Sequence, residues 1–323
     1  MSEQGPTSRS GGAVTNRTMR FGRYSFDLSN PDKVLFPDDG ITKRELVDYY
    51  ARIADRMVPH LTARPVSMER FPDGIRGHRV FQKDAPGYFP PWIRRVAVRK
   101  KGGRLHHVLA ENAATLAYLA NQACITPHVW LSRADRPEHP DQLILDLDPA
   151  GEDFDAARAA ARSVRTLLDE LELPAFLKTT GGKGLHVTVP LDRSERFDAV
   201  NAFAREVAEV LAAREPDRLT TEFRIAKRNG RLFLDVGRNA YAQTAVPPFA
   251  VRARPGATVA TPLAWEELGD RGLRPSRFTI HSIFERLEGD ADPWRGMGRR
   301  SRSLAAARKR LERIHAEGSE AGG

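Results

Sequence analysis

Two aspartates, Asp146 and Asp148, interrupt the otherwise apolar run Gln142-Leu143-Ile144-Leu145-Asp146-Leu147-Asp148, which stops at Pro149. Side chains alternate across a strand, so Leu143, Leu145 and Leu147 share one face while Ile144, Asp146 and Asp148 share the other. Neighbouring carboxylates on a half-buried surface repel one another and resist ionisation. A divalent cation between them is the simplest remedy, which makes the pair a candidate metal site. A second run, Arg231-Leu232-Phe233-Leu234-Asp235-Val236-Gly237, repeats the pattern and leaves Phe233 and Asp235 on the face opposite the aliphatic residues. Asp235 is therefore a candidate third acid, although an aspartate before a Val-Gly turn also reads as a hydrogen bonder at a loop end. Three carboxylates around two divalent ions form the clamp used for in-line phosphoryl transfer.

Between the acids lies Lys178-Thr179-Thr180-Gly181-Gly182-Lys183-Gly184-Leu185-His186-Val187-Thr188-Val189. Its glycines permit a tight turn with backbone N–H groups exposed, and a lysine inside such a turn favours an anion, phosphate above all. The segment is not a Walker loop, because Gly184 stands where that motif needs Ser or Thr. Leu185, Val187 and Val189 take the buried face, which leaves His186 and Thr188 on the other. A glycine-rich hairpin is also an ordinary structural turn.

These residues need a scaffold, and the rest of the chain supplies one. Thr42-Lys43-Arg44-Glu45 has the form of a capping box, and Leu46, Tyr49, Tyr50, Ile53 and Met57 follow at helical spacing. Further helices are expected over about 111–123, from Phe154 to Leu171 and from Phe197 to Leu211, with strands at 79–83, 142–147, 175–180, 184–190, 231–236 and 248–253. The pattern is mixed rather than an even strand-helix alternation. Residues 1–17 read as a disordered, Ser/Gly-rich leader, and residues 293–323 as a basic, partly helical tail that is either a solvated helix or a contact for nucleic acid or a partner.

The 323 residues are 41% apolar and 29% charged, as in a globular chain with a sizeable core. Lys and Arg outnumber Asp and Glu by 51 to 42, which points to a polyanion such as nucleic acid as partner. Cys124, the single cysteine, is expected within a helical stretch and excludes a disulfide framework or a cysteine zinc site. No apolar run approaches the roughly 20 residues of a membrane helix, and the start lacks the apolar core of a signal peptide. A soluble protein of the cytoplasm, associated with the nucleoid, is the expectation.

Asp146-Leu147-Asp148-Pro149, Thr180-Gly181-Gly182-Lys183-Gly184-Leu185-His186-Val187, Asp235 in its strand, and Val251-Arg252-Ala253-Arg254-Pro255-Gly256-Ala257 with Ala260-Thr261-Pro262-Leu263 closely resemble the polymerase domain of bacterial ligase D. That family is the end-joining branch of the archaeo-eukaryotic primase superfamily. The resemblance covers the chain from about residue 20 to 290, motif order and spacing included. It implies an α+β (mixed α/β) primase-like fold, with central mixed or antiparallel sheets flanked by helices, and a catalytic domain over residues 18–292. The implied activity is template-directed nucleotidyl transfer that fills gaps and extends ends in non-homologous end joining, often with ribonucleotides.

In such enzymes Asp146, Asp148 and Asp235 would hold two divalent ions, manganese foremost and magnesium as the alternative. By matching position, Thr180, Lys183, His186, Arg252 and His128 would surround the incoming nucleoside triphosphate. Lys33 and Lys43, with help from Arg70, would bind the 5′-phosphate of a gapped or broken DNA end. Lys43 has an independent argument, because it opens a capped helix whose free N–H groups and dipole attract phosphate. An aromatic pair stacks on the template in the family, whereas here the positions hold Val80 and Phe81, so one ring is missing. Stacking contributes roughly 1–3 kcal/mol per base, so the expectation is either a weaker grip on the template or a borrowed ring such as Phe89 or Trp92.

The chain carries no motif for a covalently adenylated lysine, so Ku and a separate DNA ligase are implied partners. Two rival readings remain open at this level. Three acids with two ions serve a metal-dependent phosphoesterase or nuclease equally well, and the same fold would also serve a noncatalytic module that bridges DNA ends.

Overall fold

The computed structural model describes residues 17–320, apart from residues 101, 150, 152, 290 and 291. The expected leader thus lies outside the described residues, except for Arg17. The chain opens with two hairpins, β1 (Arg17–Phe21) with β2 (Tyr24–Leu28) and β3 (Val34–Phe36) with β4 (Ile41–Thr42). Next come α1 (Lys43–Leu61), β5 (Pro65–Arg70), β6 (Val80–Gln82), β7 (Arg95–Lys100), β8 (Gly103–Leu109), α2 (Ala113–Asn121) and β9 (Cys124–Trp130). The second half runs through β10 (Gln142–Asp148), α3 (Phe154–Glu170), β11 (Phe176–Thr179), β12 (Leu185–Pro190), α4 (Phe197–Arg214), β13 (Leu219–Thr220) and β14 (Leu232–Asp235). It closes with β15 (Thr244–Ala245), β16 (Pro262–Leu263), α5 (Ile283–Leu287) and α6 (Ala305–Glu320).

Two sheets carry the architecture. One has the order β13-β14-β10-β12-β11-β16, antiparallel except for the β13–β14 pair. The other has the order β15-β9-β5-β8-β7, with β6 paired to β5. Alternation does in space what it promises on paper. Leu143, Leu145, Leu147, Leu185, Val187 and Val189 are fully buried in the main core together with Ala157, Ala161 and Val164 of α3 and Phe203 and Val207 of α4. The opposite face of the first sheet turns toward the second, where Ile144 packs with Leu131, Phe197 and Ala245. Helix α1 begins with the expected capping box: Thr42 accepts from Glu45 N–H, and Glu45 accepts from Thr42 N–H at 2.8 Å.

Three expectations need correction. Cys124 is not helical, because Ala123 adopts a left-handed φ of 56°, which ends the helical path and lets Cys124 open β9 as a buried residue. The segment 248–253 is a loop with one bridge, Val251 to Val259, rather than a strand. Phe249 sits at φ 66°, and tyrosine hydroxyls take the groups a neighbouring strand would use: Tyr49 donates to Phe249 O at 2.7 Å and Tyr50 accepts from Val251 N–H at 3.1 Å. The basic tail is no free solvated helix. Leu304, Ala307 and Leu311 are buried in the main core, and Arg308 bonds Glu195 at 2.8 Å while its charged neighbours face outward. Replacing a buried leucine by alanine costs about 2–5 kcal/mol, so Leu311→Ala is expected to lower unfolding stability by that amount in urea titration, and a loss below about 0.5 kcal/mol, the usual scale for surface positions, would show the tail to be peripheral.

Candidate active site

One polar row crosses four strands. Lys178 on β11 is the register partner of His186 on β12, His186 of Asp146 on β10, and Asp146 of Asp235 on β14. Register partners project from the same face of a sheet, and here that face looks into the gap between the sheets. Asp148 lies two residues beyond Asp146 on the same side. The three acids therefore share one face of the sheet on neighbouring positions of β10 and β14. A cleft of about 120 Å³ opens there, lined by Asp146, Asp148, Thr180, Lys183, His186, Arg238, Arg252 and Arg254 from one wall and by His128 from the other.

Two local devices fix the acids. Gly184 lies so close to β10 that a Cβ on it would stand 2.0 Å from Leu147 O, inside any possible contact. On the other side, the Asn239 amide completes the ladder where β14 has ended, accepting from Ile144 N–H at 2.8 Å and donating to Ile144 O at 2.7 Å. The segment from Asp235 to Asn239, Arg238 included, is thereby clamped to the acid strand.

Burial and charge divide the carboxylates. Burial alone would raise Asp146, but His186, with Nε2 3.4 Å from Oδ1, and then Arg238 and Lys178 pull it down to about 2. Asp148 moves the other way, raised by burial and then by the Asp146 charge, against the partial relief of Lys183, Arg254 and Arg252. His186 is held down at about 4 by burial and by Lys178, so at neutral pH it serves Asp146 as a neutral N–H donor through Nε2, with Nδ1 buried and unpartnered. Lys178 is itself 1% exposed, its Nζ has no hydrogen-bond partner, and burial followed by Arg252 brings it to about 7.

This arrangement fits divalent ions. Like-charge repulsion between Asp146 and Asp148 is what a cation relieves. No three His, Cys, Asp or Glu side chains among the described residues converge as a finished cage, because Asp146 is turned to His186 and Arg238, and Asp235 accepts from Gly237 N–H at 2.8 Å. Face and register bring the acids together; their oxygens are engaged elsewhere.

The glycine turn differs from the expectation in one respect. The Thr180 hydroxyl accepts from Gly182 N–H at 3.1 Å and Gly184 N–H at 3.3 Å, so those two groups point into the turn rather than out of it. Lys183 remains exposed at the cleft, and Arg252 is tied to Thr180 O at 3.0 Å. Anion binding here rests on the side-chain cations.

A family profile for the LigD primase-polymerase domain matches residues 42–294. The chain belongs to that family. It is 35% identical over 268 residues to the multifunctional non-homologous end joining protein LigD of Mycolicibacterium smegmatis, covering 82% of this chain and 35% of that protein. To the corresponding protein of Pseudomonas aeruginosa it is 36% identical over 291 residues, covering 88% of this chain and 34% of the other. The chain thus spans about a third of the length of these relatives. Among solved structures it resembles the polymerase domain of Mycobacterium tuberculosis ligase D in complex with DNA, at 32% identity and a TM-score of 0.79, over 85% of this chain and 98% of that one. Membership in the LigD primase-polymerase family makes the chain a nucleotidyltransferase with the expected mixed α/β fold.

The remaining residues singled out on the family pattern fall in two places. His128 reaches the cleft from β9, its Nε2 3.1 Å from Glu69 Oε2, with burial pushing its imidazole down against that contact. Phe81 packs edge-on to His128 at 5.3 Å between centroids and keeps 41% exposure, an open ring on the same wall. Phe89 is 3% exposed and Trp92 is stacked on Tyr24, so neither replaces the ring missing at Val80.

Lys33 and Lys43 lie together away from the cleft, joined by Lys43 N–H donating to Lys33 O at 2.8 Å. The free N–H groups expected at the start of α1 are already taken: Lys43 bonds Lys33, Arg44 bonds Pro31 O, and Glu45 bonds Thr42. The ammonium groups have partners too: Lys33 Nζ pairs with Asp73 at 2.9 Å, and the buried Lys43 Nζ donates to Ser29 Oγ at 3.0 Å and Asn121 O at 3.2 Å. Arg70 is spent on Gln122 O at 2.8 Å and Gln82 at 2.6 Å.

Lys178, Arg238, Arg254 and Glu69 belong to the site and were not singled out from sequence. A lysine inside the apolar strand Ala175-Phe176-Leu177-Lys178 was the one available signal. Gly184→Ala is expected to lower nucleotide addition about 100-fold or more, since a 1 Å displacement of reacting groups costs that much. A wild-type rate in that variant would show that the turn does not position the acids.

Proposed function

We propose that the chain adds nucleotides, ribonucleotides by preference, to DNA gaps and broken ends under template direction during bacterial non-homologous end joining. The observation that carries this reading is a cleft lined by Asp146 and Asp148 and walled by Lys183, Arg238, Arg252 and Arg254, with Asp235 the register neighbour of Asp146 on the next strand. Four cations beside two lining carboxylates suit a triphosphate better than a simple phosphodiester, which disfavours the nuclease reading. The names of the relatives supply the end-joining context, and the M. tuberculosis structure is described as a DNA complex.

Asp146, Asp148 and Asp235 would hold two divalent ions, manganese first, whose Lewis acidity activates a 3′-hydroxyl and stabilises charge on the leaving pyrophosphate. The chain's own groups do the rest. Lys183 and Arg252, with Arg254, offset the triphosphate charge. Thr180 shapes the turn that presents Lys183. His186, neutral and hydrogen-bonded to Asp146, holds that carboxylate in place, and His128 with Glu69 closes the opposite wall. Phe81 offers its open ring to a template base. Lys33 and Lys43 receive the 5′-phosphate of the downstream strand, and Arg70 orders the turn beside them. In this reading residues 18–292 form the catalytic domain, and Ku and a separate ligase complete the repair in the cell's nucleoid.

Asp146→Ala or Asp148→Ala is expected to cut primer extension by more than about 100-fold, since even partners one shell beyond a metal cost 10- to 100-fold, while DNA affinity stays within about twofold; undiminished extension by either variant refutes the assignment. Lys43 yields a pH test. Burial, then Lys33, lowers its ammonium from 10.5 to about 8, so its charge is lost as pH rises through that value. Preference for 5′-phosphorylated over unphosphorylated gaps should therefore fall several-fold between pH 7 and 9. Stability carries the opposite sign, because between about 8 and 10.5 the unfolded chain holds the proton that the folded chain has released, and folding gains as pH rises. A phosphate preference that is flat with pH removes Lys43 from the pocket.

A further inference from the structure

The gap between the sheets opens a second time, at the end of β10 remote from the acids. Gln142 and Pro190, register partners at the far ends of β10 and β12, border a cavity of about 430 Å³ whose other walls come from the end of α1 and from the segment 294–301. Four residues of strand, about 13 Å, separate Gln142 from Asp146.

Four arginines line this cavity against two aspartates. Arg64, 1% exposed, and Arg133 both donate to one oxygen, Asp141 Oδ2, each at 2.8 Å. One carboxylate between two guanidiniums leaves a net positive charge, with Arg64 buried and Arg133 partly open to solvent. Arg193 directs one terminal nitrogen outward to Asp135 at 2.8 Å, and its buried Nε has no partner. Arg299 is exposed at the rim. Asp192, the second acid, is already occupied by the N–H and hydroxyl of Ser194. The resulting field is visible in His60, held down at about 4 by burial and then by Arg64, Arg133 and Lys178.

The rest of the lining mixes the polar His60, Gln142 and Ser301 with an apolar wall of Pro59, Leu191, Trp294 and Met297. Trp294 donates its indole N–H to Leu177 O at 2.7 Å and stands edge-on to His60, which fixes a ring in the wall beside Met297. Concave cavities of roughly 300–1,000 Å³ with an apolar wall and a few convergent polar groups are typical of small-molecule sites. We infer that this cavity is a further phosphate-binding site, separate from the acid-side cleft and from Lys33 and Lys43, taking a free nucleoside phosphate with its phosphates among Arg133, Arg193 and Arg299 and its base against Trp294 and Met297. A DNA strand presents the same phosphate chemistry, and titration separates the two, the concave form of the cavity favouring the small molecule.

The test is calorimetric titration of ADP, in EDTA, into the full chain carrying Lys183→Gln and Arg252→Gln, which disable the cleft at the acids. One ADP should still bind, and adding Arg193→Gln with Arg299→Gln should weaken it at least tenfold. Arg299→Glu alone, at an exposed side chain, should weaken it in the same direction without changing the melting temperature or, in an otherwise wild-type chain, primer extension. Absence of ADP binding once the acid-side cleft is disabled overturns the proposal, as does binding indifferent to Arg193 and Arg299. Loss confined to a 5′-phosphorylated duplex, with ADP untouched, overturns it too and assigns the face to DNA.

Discussion

A carboxylate buried between two sheets must be held by cations or hydrogen bonds, and Asp146 is held by both. His186 and Arg238 keep it ionised at the centre of the polar row, and that fixed charge in turn makes ionisation of Asp148 costly. Two acids two residues apart thus stand in opposite conditions before any ligand arrives. A divalent ion joining them gains the Coulomb attraction of both and removes their mutual repulsion. The same charge explains why Lys178, which has no hydrogen-bond partner, is tolerated in the interior: Asp146 is the attraction that offsets its burial.

Scaffold and site are coupled through backbone contacts rather than through loops alone. Gly184 touches the acid strand at a distance that excludes any side chain, Asn239 substitutes an amide for the strand that ends at Asp235, and Tyr49 and Tyr50 hold the loop that delivers Arg252. Each device links a residue that contacts the cleft to an element buried on its other face. The acids are consequently placed by the packing of α3 and α4 beneath the sheet, which gives rigid elements the task of positioning.

Much of this was legible along the chain. Alternation in 142–148, 185–190 and 232–235 placed the three aspartates and His186 on the correct faces, and helical spacing located α1, α3 and α4. The illegible parts depend on partners distant in sequence. Nothing local marks Arg238 or Glu69, whose meaning comes from Asp146 and His128 across the fold. The segment around Val251 reads as a strand, but Val251 spends its backbone N–H and carbonyl on the side chains of Tyr50 and Thr126, which no local pattern reports. The tail looked solvated because arginines outnumber the three apolar residues, Leu304, Ala307 and Leu311, that anchor it.

The central claim is that Asp146, Asp148 and Asp235 act as one metal-holding group at the edge of a triphosphate cleft. Anomalous diffraction from crystals grown with manganese and a non-hydrolysable nucleoside triphosphate tests it most directly. The account predicts two manganese peaks held among Asp146, Asp148 and Asp235, with Asp235 released from Gly237 N–H, and the triphosphate beside Lys183 and Arg252. Manganese bound without Asp235, or a triphosphate seated away from the polar row, would contradict it.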